Sequence, residues 1–465
     1  MTMQREWACR SKILPCLTSG AFAGRSTLKE ASLRSDIVIV GGGAGGLELA
    51  CKLGRKLGPS KVTLVDSRLY HIWKPSLHEV AAGTLDIHQE GLSYAMLAHD
   101  NGFNFILGPM TGLDSANQTV DIGAVHSATE NDEVLPPRRL GYGKLVLSIG
   151  STSNYFGVPG AQEHSISLNA TEDAERFRLR MLRLMLAVEQ QREEGKETGL
   201  DVVIIGGGAT GVELAAELRE ASGAYARYGF ARMDVKRDVR IAILEGAPRI
   251  LAPLPERVSA AAQALLDKRG IRVVADCRVT AIEADRVIDG KGNVYRADLC
   301  VWAAGIRAPE MLATLGLPTA RGGQVEVDAH LRVKGVPNVF ALGDCAACID
   351  GNGLPVPPRA QAAHQQADYL VTAFLRIDKG RPPQDTPYEY RDYGSLVSVG
   401  QSTSVGSLMG SLRGASWFVQ GSVARLMYTS LHLNHHRAVM GTMRTALLAV
   451  ARFLIRRSTP LVKLH

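Results

Sequence analysis

An α/β fold is predicted by three observations. Two glycine-rich turns, Gly41-Gly42-Gly43-Ala44-Gly45-Gly46 and Gly206-Gly207-Gly208-Ala209-Thr210-Gly211, each follow a run of β-branched residues and open a helical pattern. A later hydrophobic run, Asn338–Leu342, ends in Gly343-Asp344. A buried parallel strand leading through a glycine turn into a helix is the unit that cradles a dinucleotide, so two of them imply two nucleotides, one exchanging and one resident. The predicted architecture is two Rossmann-like dinucleotide-binding domains, the first made discontinuous by insertion of the second, followed by a helical C-terminal segment.

In the first unit, the strand Ile37–Val40 runs into the turn. Gly41 permits its tight bend, Gly43 leaves no side chain between backbone and a pyrophosphate, and Gly46 lets helix and strand approach closely. The pyrophosphate would lie in the field of the helix N-terminus. A helical pattern (Leu47, Leu49, Ala50, Leu53) leads to the strand Val62–Val65, which is closed by Asp66, a carboxylate placed to accept hydrogen bonds from a ribose diol. The segment His71–Gly83, with Trp73, Lys74 and Pro75, lies where a long dinucleotide extends toward its reactive ring, which makes Lys74 a candidate cofactor contact. Lys144–Ser151 reads as a further buried strand, and its Gly150-Ser151-Thr152 end suits backbone contact with a cofactor.

The second unit repeats the pattern. Val202–Ile205 precedes Gly206, Gly208 and Gly211, a helix follows over Val212–Leu218, and the strand Ile241–Leu244 ends at Glu245. The longer spacing between turn and acid requires an insertion around Ser222–Arg240. An acid here favours NADH, because a carboxylate repels the 2′-phosphate of NADPH. The polar stretch Gln190–Gly199 is expected as a surface loop before this unit. Leu299–Gly305 closes it as a strand and turn, with Ala304 and Gly305 at the cofactor.

Two such units with a late hydrophobic-Gly-Asp segment resemble the two-dinucleotide-binding-domain flavoproteins. The resemblance implies non-covalent FAD on the first turn, with Gly343 and Asp344 against its ribityl–phosphate portion, and NADH as co-substrate on the second. Disulfide reductases of that superfamily need a cysteine pair beside the flavin. The only close pair, Cys345 and Cys348, directly follows Asp344 and matches neither type, although a thiol-linked reductase using it stands as the alternative. Sulfide:quinone oxidoreductases use a cysteine in the linker between the nucleotide domains, and Ser151–Thr171 has none. With seven cysteines scattered over 465 residues, the chain shows no disulfide framework and reads as a protein of a reducing compartment.

Pro357–Ala367 is more specific. It holds Ala360-Gln361-x-Ala363-x-Gln365, which is similar to the quinone-site motif of the type II NADH dehydrogenases. Small alanines at a helix start leave room for a flat ring, and Gln361 can hydrogen-bond a quinone carbonyl. From Asp36 to His465 the chain resembles the proteobacterial respiratory type II NADH:quinone oxidoreductases, notably over His71–Gly83, Ile205–Leu218, Val301–Pro309, Gly343–Cys348, Gly394–Gly400, Ser402–Gly410 and Leu461–His465. That resemblance implies hydride transfer from NADH to FAD, reduction of ubiquinone or menaquinone without proton pumping, a homodimer, and a monotopic position on the cytoplasmic face of the bacterial inner membrane. It implies catalytic roles for Glu213 beside the nicotinamide and for Gln361 and Gln365 at the quinone. No metal is assigned. The expected domains are 36–165 and 326–385 (FAD), 166–325 (NADH) and 386–465 (membrane anchoring and dimerisation), with 1–35 as a basic, acid-poor extension.

Charge is uneven along the chain. From Tyr393 onward there is no Asp or Glu but eight basic residues, which leaves the body near neutral. Arg437, Arg444, Arg452 and Arg456, spaced 7, 8 and 4, are expected on one helical face opposite Val439, Met443, Leu447, Val450 and Leu454. No uncharged run approaches the roughly 20 residues that a spanning helix needs. A basic amphipathic helix without a span predicts an anionic membrane surface as partner, and no nucleic-acid module accompanies the charge.

Overall fold

The computed structural model describes residues 33–127, 132–230, 232–400, 403–409, 416–458 and 462. The N-terminal extension expected over 1–35 lies outside these residues up to position 32. Leu33–Ser35 are already sheet, paired with Leu140–Tyr142, so the first strand starts three residues earlier than the charge pattern suggested.

The first sheet runs Asn104–Leu107, Val62–Asp66, Leu33–Val40, Arg138–Leu147, Thr119–Ile122, Met110–Asp114, and Val339–Ala341 also pairs with Arg138–Leu147. Its register matters for function. Val40 lies level with Val65 and Leu147, and Leu147 with Ala341. Those parallel strands therefore end together and deliver Gly41, Asp66, Ser148–Ser151 and Gly343-Asp344 to one edge, where ligands bind in open α/β sheets. Helix α1 (Ala44–Leu57) leaves this edge, and the short α2 (Leu77–Ala82) follows the His71–Ser76 segment.

The second sheet is wholly parallel: Ile166–Ser167, Leu299–Trp302, Leu200–Ile205, Val239–Leu244, Ile271–Val274. Ile205 is level with Leu244 and Trp302, so Gly206, Glu245 and Ala303–Gly305 meet at its edge. Helix α3 (Thr171–Glu193) follows the first strand of this sheet and continues through Gln190, which confines the expected loop to 194–199. The long crossover is explained by α4 (Ala209–Gly229), at 21 residues against 14 for α1, with a further short helix Val235–Asp238.

Each sheet has its own core. Val38, Ile39, Leu47, Leu145, Phe340 and Phe374 build the first, and Phe177, Met185, Leu214, Tyr225 and Leu266 the second. Ala308, Leu312, Val325 and Val327 pack in the first core. The chain thus returns from the inserted unit near Ala308 rather than at 326.

Helix α5 (Ala360–Asp378) packs along α1, and Gly45 makes their approach possible, since a Cβ there would lie 2.8 Å from Ala363 O. A three-stranded antiparallel sheet (Gly394–Ser398, Ser404–Met409, Ser416–Gly421) then leads into α6 (Ser422–Met440) and α7 (Thr442–Ser458). The two helices are separated by Gly441 in the left-handed region (φ +85°), a conformation that ends a helix. The break overturns the expectation of one basic face. Arg444 pairs with Asp100 and Arg452 with Glu90, both on the body. The surface α7 turns outward is apolar: Met443, Leu447, Val450 and Leu454 are 86%, 71%, 57% and 59% exposed. Among the described residues no helix is long and apolar enough to cross a membrane.

Candidate active site

The two glycine turns are built alike. A Cβ on Gly46 would lie 2.0 Å from Gly41 O, and one on Gly211 the same distance from Gly206 O, so both helices start in backbone contact with their own turns. Gly41 and Gly206 hold φ of +100° and +106° and press against Ser148 and Ala303. On the other side, a Cβ at Gly43 or Gly208 would meet nothing within 4 Å. These two residues are also the N-caps of α1 and α4, and neither helix start has a side-chain cap. Each turn is thus closed toward the protein and open outward, with uncapped N–H groups that suit a pyrophosphate. Both cradles fit a dinucleotide.

The acids behave alike too. The N–H groups of Gly42 and Arg68 donate to Asp66 (2.7 and 2.9 Å), and those of Gly207 and Ala247 to Glu245 (2.5 and 2.7 Å). These bonds fix each carboxylate at its strand end, and each oxygen keeps a lone pair for a ribose hydroxyl. Ala304 and Gly305 line the turn facing Gly206, with Gly305 at φ +75° and Ala304 O accepting from Trp302 Nε1 at 2.9 Å.

Three segments far apart in sequence meet at the first sheet's edge. Lys74 Nζ donates to Ser151 O at 3.1 Å, and Ser151 Oγ donates to Asp344 Oδ2 at 2.7 Å. Burial holds the Lys74 ammonium below its ordinary value against the pull of Asp344. Gly343 N–H donates to Gln366 Oε1 at 2.7 Å, which ties the Gly-Asp turn to α5. That role of Gln366 was not anticipated.

Gln361 and Gln365, expected to face a quinone, are engaged with the chain itself. Gln361 Nε2 donates to Asp392 Oδ1 (3.1 Å) and Gly394 O (3.2 Å), and its Oε1 accepts from Tyr393 N–H (3.2 Å). Gln365 exchanges two hydrogen bonds with the Arg391 backbone, at 2.8 and 2.9 Å. Together they pin 391–394 across the start of α5.

Glu213, in the first turns of α4, is 7% exposed. Its Oε1 accepts from Ser398 N–H at 3.0 Å, and His78 Nδ1 lies 3.6 Å from Oε2. Burial raises its pKa, with His78 and the Ser398 N–H opposing. Helix α6 reaches this site as well: Tyr428 hydrogen-bonds Glu213, and Arg425 donates to Ser398 Oγ at 3.0 Å.

The same helix reaches the first glycine turn. His71 Nδ1 donates to Gly42 O (2.9 Å), its Nε2 faces His435 Nε2 (2.9 Å), and His435 Nδ1 faces Glu48 Oε1 (3.0 Å). Each of these three contacts needs a proton. Two neutral imidazoles supply only two, and burial opposes a third by holding His71 well below its ordinary value and pushing His435 down to about 4. His364 Nδ1 stands 2.7 Å from the same Glu48 oxygen, and Trp73 stacks on both the His364 and the His435 ring, which also meet each other. Burial alone would raise Glu48, but hydrogen bonds from His364 and His435 hold it well below the usual carboxylate range. Glu48 also meets Lys52, which bonds surface Asp368 at 2.5 Å. No local pattern announces this network, because its members lie on four separate segments.

The cysteine pair is withheld from chemistry. Cys345 and Cys348 are buried and unpaired, and burial pushes their thiols up to about 11 and about 12. A thiolate nucleophile needs the opposite shift.

Two cradles served by one body, with no reactive thiol between them among the described residues, define the class of two-nucleotide flavoprotein reductases. A family model described as pyridine nucleotide-disulphide oxidoreductase matches residues 35–367. The type II NADH:quinone oxidoreductase of Haemophilus influenzae is 37% identical over 446 residues, 92% of this chain and all of that one. A demethylphylloquinone reductase of Synechocystis is 30% identical over 81% of this chain and 87% of its own. NDH2 of Plasmodium falciparum, solved with NADH, superposes with a TM-score of 0.76 over 92% of this chain and all of that chain, at 19% identity, which speaks for the fold. The chain belongs to the pyridine nucleotide-disulphide oxidoreductase family and, within it, to the type II NADH:quinone oxidoreductases.

Proposed function

We propose that the chain oxidises NADH and reduces a membrane quinone at a membrane surface, without a path for ions across the bilayer. FAD, when bound, supplies the chemistry by accepting a hydride from NADH and returning two electrons to the quinone. What the protein supplies is placement. The first turn, Asp66, Lys74, Ser151 and Asp344 hold the flavin nucleotide, and the second turn, Glu245 and Ala304-Gly305 hold NADH with its nicotinamide near Glu213. The observation that carries this reading is the pair of uncapped cradles combined with cysteines buried out of use. Such a protein must pass its electrons to an external acceptor, and in the Haemophilus relative the named acceptor is a quinone.

The test is anaerobic flavin absorbance. NADH is expected to bleach the oxidised band and a short-chain ubiquinone analogue to restore it. Bleaching without recovery would overturn the quinone assignment. Gln361 and Gln365 are assigned to the quinone step as the groups that fix 391–394, with a quinone carbonyl replacing Gly394 O or Asp392 on Gln361 Nε2. Gln361→Ala is expected to raise the quinone KM about tenfold, the loss of one hydrogen bond of about 1.4 kcal/mol, and to leave bleaching by NADH unchanged. An unaltered quinone KM would remove Gln361 from the site.

Quinone reduction takes up two protons. Glu48, held ionised, orients the His364 imidazole on α5, and His364 is the group assigned to relay them. Glu48→Gln, which removes the anion that holds His364, is expected to slow reoxidation by quinone about tenfold with NADH reduction intact, part of the roughly 10²-fold that general acid catalysis contributes. Equal reoxidation rates would move the proton source elsewhere. The outward apolar stripe of α7 supports a peripheral position at a membrane; the cytoplasmic face and a homodimer complete the assignment by family resemblance.

A further inference from the structure

Helix α6 carries a second histidine pair that the reaction above does not use. His432 and His436 stand four residues apart, so both rings project from one face, and they stack with centroids 4.5 Å apart and planes at 17°. His436 is 3% exposed. Its Nδ1–H donates to the His432 backbone carbonyl at 3.0 Å, which fixes the tautomer and turns a bare Nε2 lone pair away from the helix. That buried Nε2 has no hydrogen-bond partner. His432 Nε2 accepts from Arg452 Nη2 at 3.0 Å; because a guanidinium only donates, this atom too carries a lone pair.

The third member is Glu90, at the end of the short helix Ile87–Glu90, whose carboxylate pairs with the same Arg452. One donor atom from each of Glu90, His432 and His436 lies within 4.8 Å of the other two. They border a cavity of about 10 Å³, room for about one water or one ion. A metal binds an imidazole through such a bare lone pair. A ligand histidine commonly donates its other ring N–H to a backbone carbonyl, as His436 does here. Two imidazoles and a carboxylate with a position left open form a zinc-type donor set.

We propose that Glu90, His432 and His436 form a binding site for a divalent ion of the zinc class, and that Arg452 is its built-in competitor. The guanidinium now supplies the positive charge that Glu90 and the His432 lone pair call for. An ion taking those donors must displace it. Arg452 lies on α7, so occupancy of the site frees one of the contacts that hold this helix to the body. The cavity also borders His71 and Trp73, beside the first glycine turn, but the three donors belong to neither cradle, and the proposal does not rest on the quinone reading.

The experiment titrates Zn²⁺ alone into the full-length, FAD-loaded protein by calorimetry, with retained flavin absorbance as the control for folding. One Zn²⁺ per chain is expected. His436→Ala should weaken binding at least 100-fold, and His432→Gln takes its place if that variant loses flavin. Arg452→Gln should move affinity the other way, tightening it at least tenfold because the competitor is gone. A tighter Arg452 variant separates this site from casual binding by surface histidines, which are indifferent to that arginine. Absence of stoichiometric binding in both wild type and Arg452→Gln overturns the proposal. So does wild-type affinity in both histidine variants, or weaker binding by Arg452→Gln.

Discussion

Gly211→Ala is expected to abolish rapid flavin reduction by NADH while leaving the flavin in place, and Gly46→Ala is expected to yield protein that no longer retains flavin. The cause is the same at both positions. The added methyl carbon would lie 2.0 Å from a backbone carbonyl oxygen, Gly206 O in one case and Gly41 O in the other, and at Gly46 also 2.2 Å from Ser148 Oγ. A carbonyl within the turn cannot rotate aside as a long side chain can, so the helix must shift by about 1 Å or more from its strand. That moves the uncapped N–H groups away from the pyrophosphate they are arranged to meet. For Gly211→Ala we expect kcat/KM for NADH to fall at least 100-fold, about 2.7 kcal/mol. Flavin reduced chemically with dithionite should still be reoxidised by quinone at the normal rate, because the first cradle is untouched. Stopped-flow measurement of the two half-reactions separates these outcomes. Normal NADH kinetics in Gly211→Ala would mean that the second turn is not the NADH site.

The cradles were legible because they are local. A strand, a glycine turn, a helix and an acid follow one another within one stretch of chain, and the level parallel register in each sheet then brings distant turns together. Asp344 was readable only through resemblance, since a hydrophobic run ending in Gly-Asp has no periodicity of its own. What stayed hidden depends on contacts between remote segments. His71 and His435 are 364 residues apart, and nothing near either announces the other. The return to the first core at Ala308 escaped notice because Leu312 enters it from a 3₁₀ turn, which has neither helical nor strand spacing. The glutamine motif was found, but its engagement with 391–394 was not. One error was avoidable. Gly441 after a helix of about five turns is a common stop, and reading through it merged two helices into one basic face.

That correction changes which residues should hold the protein to a membrane. Leu447→Glu with Leu454→Glu is expected to release it from lipid, whereas neutralising Arg444 or Arg452 should have a small effect. Arg444 and Arg452 are satisfied by Asp100 and Glu90, so little of their charge is left for lipid headgroups. A basic side chain near anionic lipid contributes only about 1 kcal/mol even when free. Met443, Leu447, Val450 and Leu454 recur at spacings of 4, 3 and 4 and are all more than half exposed; Leu426 of α6 and Trp417 are 72% and 70% exposed. Burying a leucine side chain is worth about 2 kcal/mol, so two of them account for roughly 10³ in partition before the cost of the new charges. Co-sedimentation with phosphatidylcholine vesicles should therefore retain the wild type without anionic lipid and lose the double variant. Reaction with a short-chain quinone should survive, because the stripe lies away from both cradles, while reaction with a long-tail quinone in vesicles should fall. Binding of wild type that requires anionic lipid, and is unchanged in the leucine variant, would return the anchor to the basic residues. A double variant that turns monomeric in sedimentation while still binding lipid would assign the stripe to the dimer contact instead.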